Sequence, residues 1–471
     1  MATKGPVEMA RPAAQYVAPG AEGICPHHPS CESHSLEEAS NCRLSIPLPA
    51  QVALGNIANV SPSLGGDDEL AAAAISDALE ILLSFGCAML KSGDTAFRVR
   101  EWMEELARKM GFDALSVSFT LSSVTISVRR GSERATMMRE IEPPGINARR
   151  IGELEQLVRA VRPGQMQHEI ALKVWEIEAK PPRYSLAQTA TGIGAACGAF
   201  AFLNGGVSPE IVAAGIGGGV GQWLRSLLSR KGFNHFGITA LCAVVASSVY
   251  ALIALLSAYI GLGIARYSTG FVSSVLFLIP GFPLVAALLD LLQYQTVVAV
   301  ARLAYSAMIL LAATFGLSFV AAVIGFDVPP TPTFDLSEPL NLLLRAIASF
   351  AGGCGFAILY NSSARSVLVV GLLAFGSNEL RLALHDAGMM LAPATFLGAL
   401  AVGLLASLVH QRLSEPRIAL TVPSIIIMVP GLYAFEMIIL FNQDTCLTRY
   451  RRRRHPASSS VRWQWAWRRR E

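Results

Sequence analysis

The chain has 471 residues, with 38 Lys and Arg against 34 Asp and Glu, and charged residues make up 15% of it, where a soluble domain carries about 25%. The deficit is local: Leu186 to Leu440 holds only 10 basic and 9 acidic residues. A soluble portion joined to a membrane portion is expected, which excludes a single large cytosolic enzyme, a secreted disulfide scaffold and a wholly disordered chain.

Residues 1–66 are rich in Pro, Ser, Ala and Gly without a sustained period and read as disordered. Within them Cys25, His27, His28, Cys31 and His34, with Cys42 beyond, offer zinc-type ligands. Their spacing fits no familiar knuckle, so an incidental polar tail is the preferred reading, with no metal and no cofactor. Cys87, Cys197, Cys242 and Cys354 stand alone in apolar runs and read as small hydrophobes. No charged-then-apolar leader opens the chain, so the front portion is expected in the cytoplasm.

Ordered structure is expected from Asp67. A helix over 69–91 stops at Ser92-Gly93, and Asp94 can cap a second helix from Thr95 to about Met110. Two-residue alternation marks strands over 115–121, 124–129 and 134–141, and helices follow over 148–161 and 165–179. Pro181-Pro182 then leads to the first span. Residues 67–182 thus read as a cytosolic α+β domain. They show no nucleophile–base pair, phosphate loop or metal spacing, so the chain does not read as an enzyme.

The stretch Met89-Leu-Lys-Ser-Gly-Asp-Thr-Ala-Phe-Arg-Val-Arg, with an aromatic, Tyr184, before the first span, resembles the threonine/serine exporter family. Fungal pheromone-regulated membrane proteins belong to the same group. Gly93, Thr95, Arg98 and Val99 match the family signature, and Asp94 lies within it. The resemblance covers about 67–442. It implies export of threonine or serine and ten spans, with acidic residues after two Pro-Gly steps.

Apolar runs able to cross about 30 Å of hydrocarbon fall at 186–203, 236–260, 270–289, 303–325, 342–360, 391–409 and 418–440. Two shorter runs, 211–224 and 366–380, are broken by glycine and polar residues and complete nine spans. An internal repeat joins them. Residues 195–204 align with 352–361, Gly215, Gln222 and Arg225 with Gly371, Asn378 and Arg381, and Ser274…Pro280-Gly281 with Ser424…Pro430-Gly431. Five spans in the first copy invert the second, the plan of secondary transporters. The expected fold is therefore a mainly α membrane protein with an inverted repeat of five plus five helices. The first repeat takes 183–330, and the second, incomplete, takes 331–442. Loop arginines and lysines favour a cytoplasmic N-terminus in a cell (inner) membrane: Arg225, Arg230, Lys231, Arg302, Arg365, Arg412 and Arg417 inside against Arg266, Arg345 and Arg381 outside.

The candidate substrate elements are Pro280-Gly281 and Pro430-Gly431, which free backbone carbonyls at depth; a packing kink is the alternative. Asn204 with Asn361, and Gln222 with Asn378, can bond a zwitterion or simply glue helices. Asp290 and Glu436 are candidates for proton coupling, since charge at depth is costly, and both resemble the family's acidic residues. After Asn442 the chain turns basic and aromatic, with nine arginines and no span. For 443–471 a reading-frame shift near Asp444 that removes the tenth span is weighed above an anionic-lipid or nucleic-acid contact.

The resulting expectation is a proton-coupled exporter of small hydroxylated amino acids. Its partners are the bilayer, the amino-acid substrate and protons, with homo-oligomerisation open and no nucleic acid. A dicarboxylate exporter and a membrane-anchored sensing module are the alternatives.

Overall fold

A computed structural model describes residues 67–120, 122–141, 145–261, 268–324, 337–413 and 415–428. All of them belong to one compact unit, Ser63–Glu471. The cysteine–histidine cluster of residues 25–42, Pro430, Gly431, Glu436 and the basic tail lie outside the described residues.

The front segment opens with α1 (Asp67–Lys91) and α2 (Ala96–Lys109). Strands β1 (Ala114–Phe119), β2 (Ser123–Arg130) and β3 (Glu133–Glu140) form an antiparallel sheet in the order β1-β2-β3. Helices α3 (Ala148–Ala160) and α4 (Gln167–Ala179) follow. Alternation along β2 turns Val124, Ile126 and Val128 to one buried face. The three- and four-residue spacing of Val99, Met103, Leu106 and Ala107 gives α2 its buried stripe. These meet Leu79, Leu82, Leu83, Phe85 and Met89 of α1 in one apolar core, which Val298 of a later helix joins.

The helical part runs α5 (Leu186–Leu203), α6 (Ser208–Ser229), α7 (His235–Tyr259), α8 (Ser268–Ser273), α9 (Gly281–Leu292), α10 (Thr296–Ile324), α11 (Glu338–Leu359), α12 (Ala364–Asp386), α13 (Leu391–Leu413) and α14 (Arg417–Ile426). Helices α5, α7, α10, α11, α12 and α13 are long and apolar enough to cross a membrane. The pair Thr269–Leu278 and Gly281–Leu292 makes a seventh span if counted as one, bent by 61°. The protein is a mainly α, multi-pass membrane protein.

Two expected elements differ in length. The short spans at 211–224 and 366–380 lie inside full-length helices, α6 with 22 residues and α12 with 23. Their glycines do not unwind them, because they serve helix contact. A methyl on Gly194 of α5 would lie 2.8 Å from the Gly215 carbonyl of α6, and one on Gly353 of α11 would lie 3.1 Å from the Val370 carbonyl of α12. The hairpins α5–α6 and α11–α12 then meet through α5 and α11. There Gly192 abuts Gly355 and Ile358, and Ala199 abuts Gly352, so the two helices run antiparallel.

Candidate functional site

The bent pair is broken by its own sequence. After α8 a single 3-10 turn, Leu276–Leu278, leads to Ile279, which is extended at ψ 122°, and Pro280 stands as the N-cap of α9. Pro280 is therefore not a kink inside a continuous helix. It starts a new helix, and Pro283 in the first turn removes a donor that a helix start does not use. Gly281 is held by packing and does not loosen the turn: a methyl there would lie 2.9 Å from Ile426 Cγ1.

The break frees carbonyls, and one has an interior partner. Arg225 of α6 donates from Nη1 to the Phe277 carbonyl at 3.2 Å. A like contact stands at the residue that the internal repeat pairs with Arg225: Arg381 of α12 donates from Nη1 to the Met428 carbonyl at 3.2 Å, two residues before Pro430. Both arginines lie within helices, not in the loops to which the charge pattern assigns them. They went unrecognised as site residues although the repeat pairs them. The available signal was their place one turn after Gln222 and Asn378, on the same helix face.

Gln222 and Asn378 are buried. Each amide nitrogen has a hydroxyl partner: Gln222 donates to Ser226 at 3.0 Å and Asn378 to Ser349 at 2.8 Å. Their carbonyl oxygens, Gln222 Oε1 and Asn378 Oδ1, have no donor among the described residues. A buried acceptor left open costs about 1–3 kcal/mol, so each is a ready seat for a ligand N–H or O–H.

Asn204 and Asn361 are elsewhere. Asn204 caps α5 and donates to its own Phe200 carbonyl at 2.8 Å. Asn361 follows α11 with φ 57° and bridges to the front segment. It accepts from the Arg183 amide at 2.8 Å and donates to Asn147 at 3.0 Å. Among the described residues, neither bonds to those around Pro280.

Asp290, at the end of α9, is buried against the signature stretch of the front segment. Its Oδ2 pairs with Arg302 of α10 at 3.0 Å, and its Oδ1 accepts from the Phe97 amide at 3.3 Å. Thr95, the N-cap residue of α2, makes no side-chain cap bond; the carboxylate of Asp290 takes that place, as the positive end of a helix favours. Arg302 donates in turn to the Asp94 carbonyl at 2.6 Å. The Asp94 carboxylate accepts from the Thr95 amide at 2.8 Å and pairs with Arg98 at 3.2 Å, and Arg98 pairs also with Glu155. Burial pushes the Asp94 carboxyl above the usual carboxylate range, against the pull of Arg98, the Thr95 amide and Arg302. Gly93 sits at φ +92°, and a methyl there would lie 2.8 Å from the Gly145 carbonyl, so the position demands glycine.

The signature stretch and the buried Asp290–Arg302 pair thus meet at one junction. The model described as "Putative threonine/serine exporter" matches residues 80–324, about half of the chain, and "Threonine/Serine exporter, ThrE" matches 345–453. The chain belongs to the threonine/serine exporter family. It is 26% identical over 398 residues to the "Probable threonine/serine exporter" of Mycobacterium tuberculosis (strain ATCC 25618 / H37Rv), covering 81% of this chain and 72% of that protein. To the "Threonine/serine exporter" of Corynebacterium glutamicum it is 24% identical over 383 residues, covering 79% and 78%. To the "Probable succinate transporter subunit YjjP" of Escherichia coli (strain K12) it is 23% identical over 248 residues, covering 52% and 94%. No solved structure matches. Among the described residues no cluster of His, Cys, Asp and Glu could hold a metal ion.

Proposed function

We propose that this exporter moves threonine and serine outward by secondary active transport coupled to protons, through an inverted repeat of five plus five helices with the front segment in the cytoplasm. The antiparallel packing of α5 on α11 supports the inversion. So does the junction where Tyr184, just before α5, donates to the Ser362 carbonyl just after α11 at 3.0 Å. The start of one helix and the end of its repeat partner lie side by side.

The observation that carries the function is the matched pair of arginine–carbonyl contacts, Arg225 on Phe277 and Arg381 on Met428, each with an open amide oxygen one turn away. Freed carbonyls and the Gln222 and Asn378 oxygens accept from an ammonium or a hydroxyl, and a small hydroxylated amino acid supplies both. Such acceptors are retained in a membrane interior where they line a ligand path. Asp290, locked to Arg302 and α2, holds the front segment to the broken span. Proton exchange then falls to Glu436, five residues beyond Gly431.

A dicarboxylate is the second reading, favoured by the relatives named as succinate transporter subunits. Counterflow into vesicles holding the full chain tests both. Internal threonine or serine should drive uptake of labelled threonine, and succinate should not. Counterflow with succinate alone would move the assignment to the second reading, and uptake with none of the three would remove transport of these substrates.

A further inference from the structure

Arg225, in the last turns of α6, is a cation with no counter-charge among the described residues. Among the described residues it pairs with no carboxylate, and the Phe277 carbonyl is its one hydrogen-bond acceptor. A guanidinium carries five N–H donors, so most of its bonding capacity is open. The titratable groups around it are Cys242, Tyr305, Tyr360 and His235, none of them an anion at neutral pH. The two tyrosines are themselves packed on rings, Tyr305 on Phe236 with centroids 5.5 Å apart and Tyr360 on Phe282 at 5.4 Å. An uncompensated charge in such surroundings is expensive and is kept for a ligand.

We infer that Arg225 holds the carboxylate of the transported amino acid, while Gln222 Oε1 accepts from its ammonium or hydroxyl. Residues three apart on a helix place their side chains about 5–6 Å apart at Cβ, a span that the two ends of a small α-amino acid bridge. The Phe277 carbonyl takes one of the arginine's donors, and among the described residues the others are free to meet a carboxylate. Two points of unlike chemistry also set the substrate class. Succinate satisfies Arg225 but brings no donor to Gln222, and that unmatched oxygen selects against it. This inference rests on the transport reading above.

The test is competition against labelled threonine in counterflow with the full chain, using unlabelled threonine, threoninamide and succinate. Threoninamide keeps the ammonium and hydroxyl but lacks the carboxylate. For the parent chain, threoninamide should compete about 100-fold more weakly than threonine, the scale of one charged hydrogen bond. Arg225→Gln should raise the half-saturating threonine concentration about 100-fold and bring threonine and threoninamide level. An unchanged ratio between the two would overturn the inference and leave Arg225 as a cap on the Phe277 carbonyl. Should Arg225→Gln fail to fold, Arg225→Lys decides by the same ratio, which should fall about tenfold because a single ammonium replaces the planar fork. Should the parent show no counterflow, equilibrium binding of labelled threonine to the purified chain separates the two claims. Binding that threonine displaces and threoninamide does not, lost in Arg225→Gln, keeps the carboxylate site while transport falls; binding indifferent to the carboxylate removes the site.

Discussion

The front segment and the helical part each bury large side chains, but the helical part adds a second kind of contact. The front core is built from large side chains, with Leu79, Leu82, Leu83, Phe85, Met89 and Met103 all at 2% exposure or less. The helical part also buries large rings, Tyr250, Phe271, Phe282 and Phe356 among them, but adds close helix contacts through glycine, at Gly192 with Gly355, Gly194 with Gly215, and Gly353 with Val370. Leucines such as Leu400, Leu404 and Leu408 point outward there. Water drives the first region together by expelling apolar surface. Lipid supplies no such force, so close backbone approach is what helices gain in the second. Between the two lies the polar junction of Asp290, Arg302 and Asp94.

The comparison is broken most severely by filling a helix contact. Gly355→Leu sets a side chain against the Gly192 carbonyl and should cost about 3 kcal/mol or more; loss of the monodisperse protein in detergent would show it. At the junction, Asp290→Ala leaves Arg302 buried without its partner and should cost about 3–5 kcal/mol. Protease cutting between residues 91 and 96 should rise as the start of α2 loosens, and unchanged cutting would remove the junction role. The same substitution in the two regions sharpens the contrast further. Leu82→Ala in the front core should cost about 3 kcal/mol, whereas Leu404→Ala on the outward face should cost under about 0.5 kcal/mol. Thermal unfolding of each variant measures both.

The smallest effect is one of pH. Because the folded state raises the Asp94 carboxyl, it holds that proton more tightly than the unfolded chain does. The associated stability is fully present below the ordinary carboxylate range and is lost as pH rises through the raised value. The parent's unfolding temperature should therefore fall across that window relative to Asp94→Asn, which lacks the titrating group and still offers an oxygen to the Thr95 amide. Parallel profiles would contradict the burial assigned to Asp94.

Much of this was legible in the sequence because periodicity and repetition are local signals. The alternation of β2, the stripe of α2 and the repeat of residues 195–204 at 352–361 all needed no knowledge of the fold. What failed to show depended on distant partners. Asp290 stands out in the sequence as a carboxylate in an apolar run that resembles the family's acidic residues, but its contact with the Phe97 amide, 193 residues earlier, has no local signal. Glycine and polar residues made α6 and α12 look short, because hydropathy counts Gly215 and Gln222 as interruptions when one is a contact surface and the other a buried acceptor. Arg225 and Arg381 passed as loop charges for the same reason.

The account stands on two inverted halves, and equivalent positions test it. Ser208 opens α6 and Ala364 opens α12, 156 residues apart in the repeat, and both are exposed. Single cysteines at the two positions, in a chain whose other cysteines are replaced, can be labelled with an impermeant thiol reagent on intact cells. Ser208→Cys should label from outside and Ala364→Cys only after permeabilisation. Labelling of both from the same side would contradict the inversion, and with it the pairing of Arg225 with Arg381 on which the transport path depends.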